Sequence, residues 1–219
     1  MRLAILLTVF ATFYYIFSAL LSPYFHPIVG IFPALLLTFL LHIYPEWYVL
    51  DILGVVLGAT AASIFGVSLS PLPIILLLIA LAFYDIIAVY RTGHMIILAE
   101  EVVKMRIPVL LVSPVKKGFS LIEKQELKEG KRDAYYMGLG DAVMPAMLIS
   151  SSATFLPGPV FMMGLNLPAL LAVIASLGAF FILMYMVHKG KPHAGLPLLN
   201  GFTIAGYLVG CLLIGVPPF

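Results

Sequence analysis

Long apolar runs broken by short polar punctuation dominate the chain. A bilayer-spanning helix needs roughly 20 mostly apolar residues, within a range of about 17–25. Seven segments meet that length: Leu3–Leu21, Pro27–Tyr44, Trp47–Phe65, Pro73–Tyr90, Tyr135–Phe155, Leu167–Val187 and Leu196–Val216. The pattern therefore predicts an all-α integral membrane protein, a polytopic bundle of about seven transmembrane helices. Most connections are short. The exception is Arg91–Ala134, polar and rich in both charge signs. Within it, HMIILAEEVVKM has helical periodicity and is expected to carry the fourth span out of the membrane. IPVLLVSPV, containing Pro108 and Pro114, reads as extended or strand-like. KKGFSLIEKQELKEGKRD reads as solvated and mobile. No internal repeat is evident. The chain thus divides into an N-terminal three-helix segment (residues 1–72), a fourth helix (73–91), a cytoplasmic loop (92–134) and a C-terminal three-helix segment (135–219).

Composition agrees with a lipid environment. The chain is 63% hydrophobic and 10% charged, against roughly 45–50% and 25% for soluble domains. The first run is too long for the roughly 7–15 residues of a signal-peptide core, and no small-x-small cleavage site follows, so it is expected to be a retained span. The single cysteine, Cys211, excludes an intramolecular disulfide and argues against thiol catalysis. The basic residues set an orientation. All 12 Lys and Arg fall on one alternating set of connections: Arg2, nine between Arg91 and Arg132, and Lys189 and Lys191. The positive-inside rule then puts the N-terminus and the long loop in the cytoplasm and the C-terminus outside. Two small-xxx-small patterns, Gly54/Gly58 and Gly206/Gly210, predict close helix packing.

Ten acidic residues can be sorted by depth. Six lie in the long loop. Glu46 and Asp51 lie at or near the start of the third span, within reach of the interface. Only Asp85, in LAFYDIIAVY, and Asp141, in YYMGLGDAVMPAML, lie well inside spans. An ionised aspartate there costs roughly 2.5–3.5 kcal/mol on insertion scales, which marks a functional group. Asp85 precedes Arg91 by six residues, about 9 Å along a helix. Asp141 lies about 10 Å past Tyr135 on the same measure. Both spans join the same loop and run antiparallel, so the acids are expected at like depth, facing the cytoplasm. A two-metal site would need further ligands, and no His, Glu or Asn is expected at that level. Proximity in a low dielectric favours one shared proton instead, with titration belonging to the pair. One carboxylate then takes a proton from water and the other gives one to the carbonyl oxygen. Gly138 and Gly140 leave room for a substrate backbone or a facing helix. Pro145 cannot donate to the carbonyl of Asp141 and should bend the helix there.

These residues carry a resemblance. Tyr84-Asp85 in one span, Gly138-Leu139-Gly140-Asp141 in the next, and a proline-led motif opening the last span resemble the presenilin and signal peptide peptidase family of intramembrane aspartyl (GxGD) proteases. The chain is similar to a microbial, archaeal-type homologue over about Pro73 to Val216. The resemblance implies that Asp85 and Asp141 are catalytic. It also implies that Tyr84, Gly138, Leu139, Gly140 and Pro145 shape the site, and that Pro197, Leu198 and Leu199 position substrate. Three departures stand beside it. The family motif Pro-Ala-Leu is here Pro197-Leu198-Leu199. The family has nine spans against seven, the missing pair lying at the N-terminus. The basic residues give the presenilin-like orientation, whereas GLGDAVMP resembles the peptidase branch.

The expected activity is hydrolysis of peptide bonds in transmembrane helices or signal peptides. A helical substrate must unwind before water can attack, and the unwound strand needs new partners. IPVLLVSPV and the backbone near Pro197 are candidates, by strand addition. No metal or organic cofactor is implied. The expected partners are single-span or signal-peptide substrates and the bilayer, with a homo-oligomer left open and no nucleic acid. No His-Glu-x-x-His is present, and Ser150-Ser151-Ser152 lacks a Gly-x-Ser-x-Gly setting and is expected to hydrogen-bond locally. A prepilin-type peptidase shares Gly-x-Gly-Asp but not the deep Tyr-Asp. A proton-coupled transporter or channel would also use buried aspartates. It predicts inverted repeats or a relay across the membrane, and the outer half has none.

Overall fold

The structure, a computed structural model, describes residues 2–89, 110–114, 134–158, 160–161, 164–188 and 194–218. Seven α-helices and a two-stranded antiparallel sheet make up the described residues. The helices are α1 (Arg2–Leu21), α2 (Ile31–Ile43), α3 (Trp47–Ser68), α4 (Pro71–Ile87), α5 (Leu139–Phe155), α6 (Leu167–His188) and α7 (Gly195–Ile214). The strands are β1 (Leu110–Pro114) and β2 (Ala134–Gly138). By length and composition, α3, α6 up to Val187, and α7 can cross a bilayer, while Leu6–Leu21, Pro27–Ile43 and Pro71–Ile87 are shorter apolar helices. The loop sequences HMIILAEEVVKM and KKGFSLIEKQELKEGKRD lie outside the described residues.

Local chemistry sets the ends. Pro71 and Pro73 fall in the first turn of α4, where a missing N–H costs nothing. Tyr44 precedes Pro45 and leaves the helical region, ending α2. The side chain of Asn166 accepts the Ala169 N–H at 3.0 Å and so caps α6. Gly215, with φ of +65°, closes α7 in the left-handed conformation that glycine adopts without strain.

The chain forms two compact units. The first comprises Met1–Thr60 and Glu100–Leu139. Its core gathers Phe13 of α1, Ala34 and Leu41 of α2, Leu50 and Leu53 of α3, and Val112 of β1. The second comprises Ala61–Ala99 and Gly140–Phe219. Its core gathers Ile74 and Leu78 of α4, Met147 and Leu148 of α5, Ala172 of α6 and Tyr207 of α7. Here α7 lies closely along α6. A Cβ on Gly206 would come within 2.6 Å of the Leu171 carbonyl, and one on Gly210 would collide with the Pro168 backbone. The Gly206/Gly210 pattern therefore does pack helices, and Gly54 and Gly58 are both buried.

One span differs from its expectation. Tyr135 to Gly138, read as the start of a helix, form strand β2, and the helix begins only at Leu139. The apolar run YYM fits a strand as well as a helix, and its strand partner lies far upstream. IPVLLVSPV does supply that partner, with Leu110 opposite Gly138 and Pro114 opposite Ala134.

Candidate active site

Asp85 lies near the end of α4 and is only 3% exposed. The reason for its placement is the start of α7. The first residues of a helix have amides without intrahelical acceptors, and Pro197 has no N–H to offer. That leaves Gly195 and Leu196. The Leu196 N–H donates to Asp85 Oδ2 at 3.1 Å, and the Gly195 amide is also directed at this carboxylate. Ala194 supplies no side-chain cap, so an acid from α4 does that work. An anionic oxygen suits the positive end of a helix.

Asp141 reaches the same place from α5. It falls in the first turn of that helix, not two turns in as a helix from Tyr135 would have it. Its Oδ2 lies 3.5 Å from where a Cβ on Gly195 would stand, and Leu183 of α6 closes the other side at 3.3 Å. The two acids are near enough to act electrostatically on one another. So α4, α5 and α6 converge on Gly195, with a carboxylate from two of them. A further stitch holds α7 to α4: the buried Asn200 donates from Nδ2 to the Leu78 carbonyl at 3.0 Å.

The other expected site residues are distributed as follows. Leu199 is in the core, 2% exposed, while Pro197 and Leu198 are half-buried in the first turns of α7. Pro145 is buried inside α5, which runs on through it. The Asp141 carbonyl receives no backbone N–H from that position. Gly140 is exposed, and a Cβ there would meet nothing within 4 Å. Its opening faces no helix among the described residues, which leaves the side of Asp141 clear. Gly138 ends β2 and Leu139 begins α5. Tyr84 is 70% exposed and turns outward from the flank of α4. Ser151 donates to the Leu69 carbonyl and Ser152 to Asn166 Oδ1, so these two hydroxyls tie elements of the bundle together.

Two residues were missed in the sequence. Gly195 sits in a short polar stretch before the last span, and its only signal is its position beside the proline-led motif. Asp51 was read as interfacial. It is half-buried in α3, and its Oδ1 accepts the Val112 N–H of β1 at 2.7 Å.

The comparisons with known proteins agree with this geometry. A family profile described as signal-peptide peptidase, presenilin aspartyl protease matches residues 1–216. A solved structure of a presenilin family intramembrane aspartate protease is similar at 40% identity and a TM-score of 0.69, covering 95% of this chain and 72% of that one. No curated protein matches the chain.

Proposed function

Because the chain belongs to the signal-peptide peptidase and presenilin family and is an intramembrane aspartyl protease, we propose that Asp85 and Asp141 are its catalytic pair. The observation that carries this is their joint approach to the start of α7, one through the Leu196 amide and one beside Gly195. The protein is integral to the membrane, and the family implies transmembrane peptides as substrates. In the proposed step, a water between the carboxylates loses a proton to one of them and attacks the scissile carbonyl. The other protonates the carbonyl oxygen, and collapse of the tetrahedral species expels the amine, which takes up a proton.

Substrate has to be unwound for that attack. In β1 the Val112 N–H points to Asp51, away from β2. Peptide groups alternate in direction along a strand, and opposite residues in an antiparallel pair either exchange bonds or both point outward. Tyr136 faces Val112, so the peptide groups of Ala134, Tyr136 and Gly138 point away from β1. No third strand joins them among the described residues. We assign the unwound substrate to this edge of β2, which leads directly into α5 and Asp141. The expectation had placed pairing on 107–115 itself. The site-shaping roles of Tyr84, Leu139, Gly140, Pro145, Pro197, Leu198 and Leu199 are part of the same proposal. So is the orientation with the N-terminus and the 91–134 loop cytoplasmic, and so is the division of the chain into the four segments given above.

The test is cleavage of a purified single-span substrate by protein in detergent. Asp85→Asn and Asp141→Asn should each lower the rate by on the order of 10³-fold or more. Either variant cutting at the wild-type rate overturns the assignment.

A further inference from the structure

We propose that Asp51 is a positioning residue for substrate: by holding the Val112 amide it closes the outer edge of β1 and leaves the edge of β2 as the one open to a substrate strand. The proposal rests on the strand-docking reading above.

The geometry is specific. Asp51 is the fifth residue of α3, between the core residues Leu50 and Leu53. Val112 belongs to the same core and is 4% exposed. At 2.7 Å, the contact between its N–H and Asp51 Oδ1 has the length of a charge-assisted bond. A two-stranded sheet has two open edges, and each is a template for a further strand. On the outer edge of β1, Pro114 has no N–H and the central donor, Val112, is occupied by Asp51. Proline and an inward-pointing charge are the two devices that block an edge. On β2 the outward donors of Ala134, Tyr136 and Gly138 meet neither. The distinction matters for chemistry. A strand added to β1 would lie three strand spacings, roughly 14 Å, from one added to β2. Only the second is continuous with the chain that bears Asp141. An ionisable group in a span is costly, and this one is used by no proton transfer in the proposed mechanism.

The test uses the full chain in liposomes with two probes. One is a single-span peptide with a free backbone beside the cut, and the other is the same peptide with alternate amides there N-methylated so that it cannot pair. Wild type should prefer the first. Asp51→Leu should lower kcat/KM on the first by about tenfold, mainly through KM, as expected for losing one charge-assisted hydrogen bond. It should leave the second unchanged. Asp51→Asn keeps an acceptor and should stay near wild type on both. Equal losses on the two probes, or no loss on the first, overturn the role. Amide exchange of the wild-type protein gives a check that no variant has to survive: Val112 should exchange more slowly than Leu110, which has the same outward direction. Equal rates overturn the proposal. If wild type cuts both probes alike, the docking reading fails and this role with it, while the catalytic pair remains tested by its own asparagine variants.

Discussion

Gly195 stands between the two acids, and its lack of a side chain is a condition of their approach. A Cβ at this position would already touch Leu183 and lie 3.5 Å from Asp141 Oδ2. Alanine should therefore be tolerated with a modest loss. Valine or leucine would push into the carboxylate, and Gly195→Val should lower kcat by on the order of 10²-fold, as misplacement by about 1 Å does. Circular dichroism and thermal unfolding would show whether the fold is kept, as the account expects. The residue scale also shows where reading from sequence stops. Asp85 and Asp141 were legible because a carboxylate inside an apolar run has few explanations. Gly195 and Asp51 were not. A glycine before a span is ordinary, and an acid five residues into a helix lies within reach of water on any depth estimate. Only the fold brings Val112, 61 residues away in sequence, to that acid.

At the scale of elements, the start of α7 is held in place by its packing on α6. Gly210 meets the backbone of Pro168, which cannot move aside as a flexible side chain would. Gly210→Val should destabilise the protein by about 1–3 kcal/mol or more, visible as a lower Tm in detergent, with cleavage falling in parallel. Gly178→Ala is the control, since a Cβ there meets nothing within 4 Å. It should be neutral to within about 0.5 kcal/mol. Helix positions were largely readable, because apolar runs of this length have one solution in a bilayer. Six of the seven expected spans begin within about two residues of an observed helical segment, counting the short 3-10 turn Pro27–Gly30 that leads into α2. The exception was the span at Tyr135. Strand pairing is decided by a partner distant in sequence, and two tyrosines and a methionine serve either state. The consequence is functional: an extended segment, rather than a helix, leads into Asp141.

For the molecule as a whole, membrane integration and family are established, and orientation is the next property to measure. The charge distribution puts every Lys and Arg on one side. A protease added to sealed, right-side-out vesicles should leave Gly118–Arg132 intact, and the same protease should cut there in inverted vesicles. The opposite pattern would reverse the orientation without touching the catalytic pair. Orientation was readable because it depends on charge counts in connections, whereas the two-unit arrangement was not, because it depends on which distant segments pack.

The central claim is that two carboxylates act as one coupled pair. The most direct measurement is the pH dependence of kcat/KM for a single-span substrate cut by protein in liposomes, for wild type, Asp85→Asn and Asp141→Asn. The mechanism needs one carboxylate able to accept a proton and the other able to give one. The account predicts a bell-shaped wild-type profile whose two limbs belong to the pair. It also predicts that each asparagine variant is inactive at every pH. A variant that keeps wild-type activity, or a bell that survives unchanged when either acid is replaced, would contradict it.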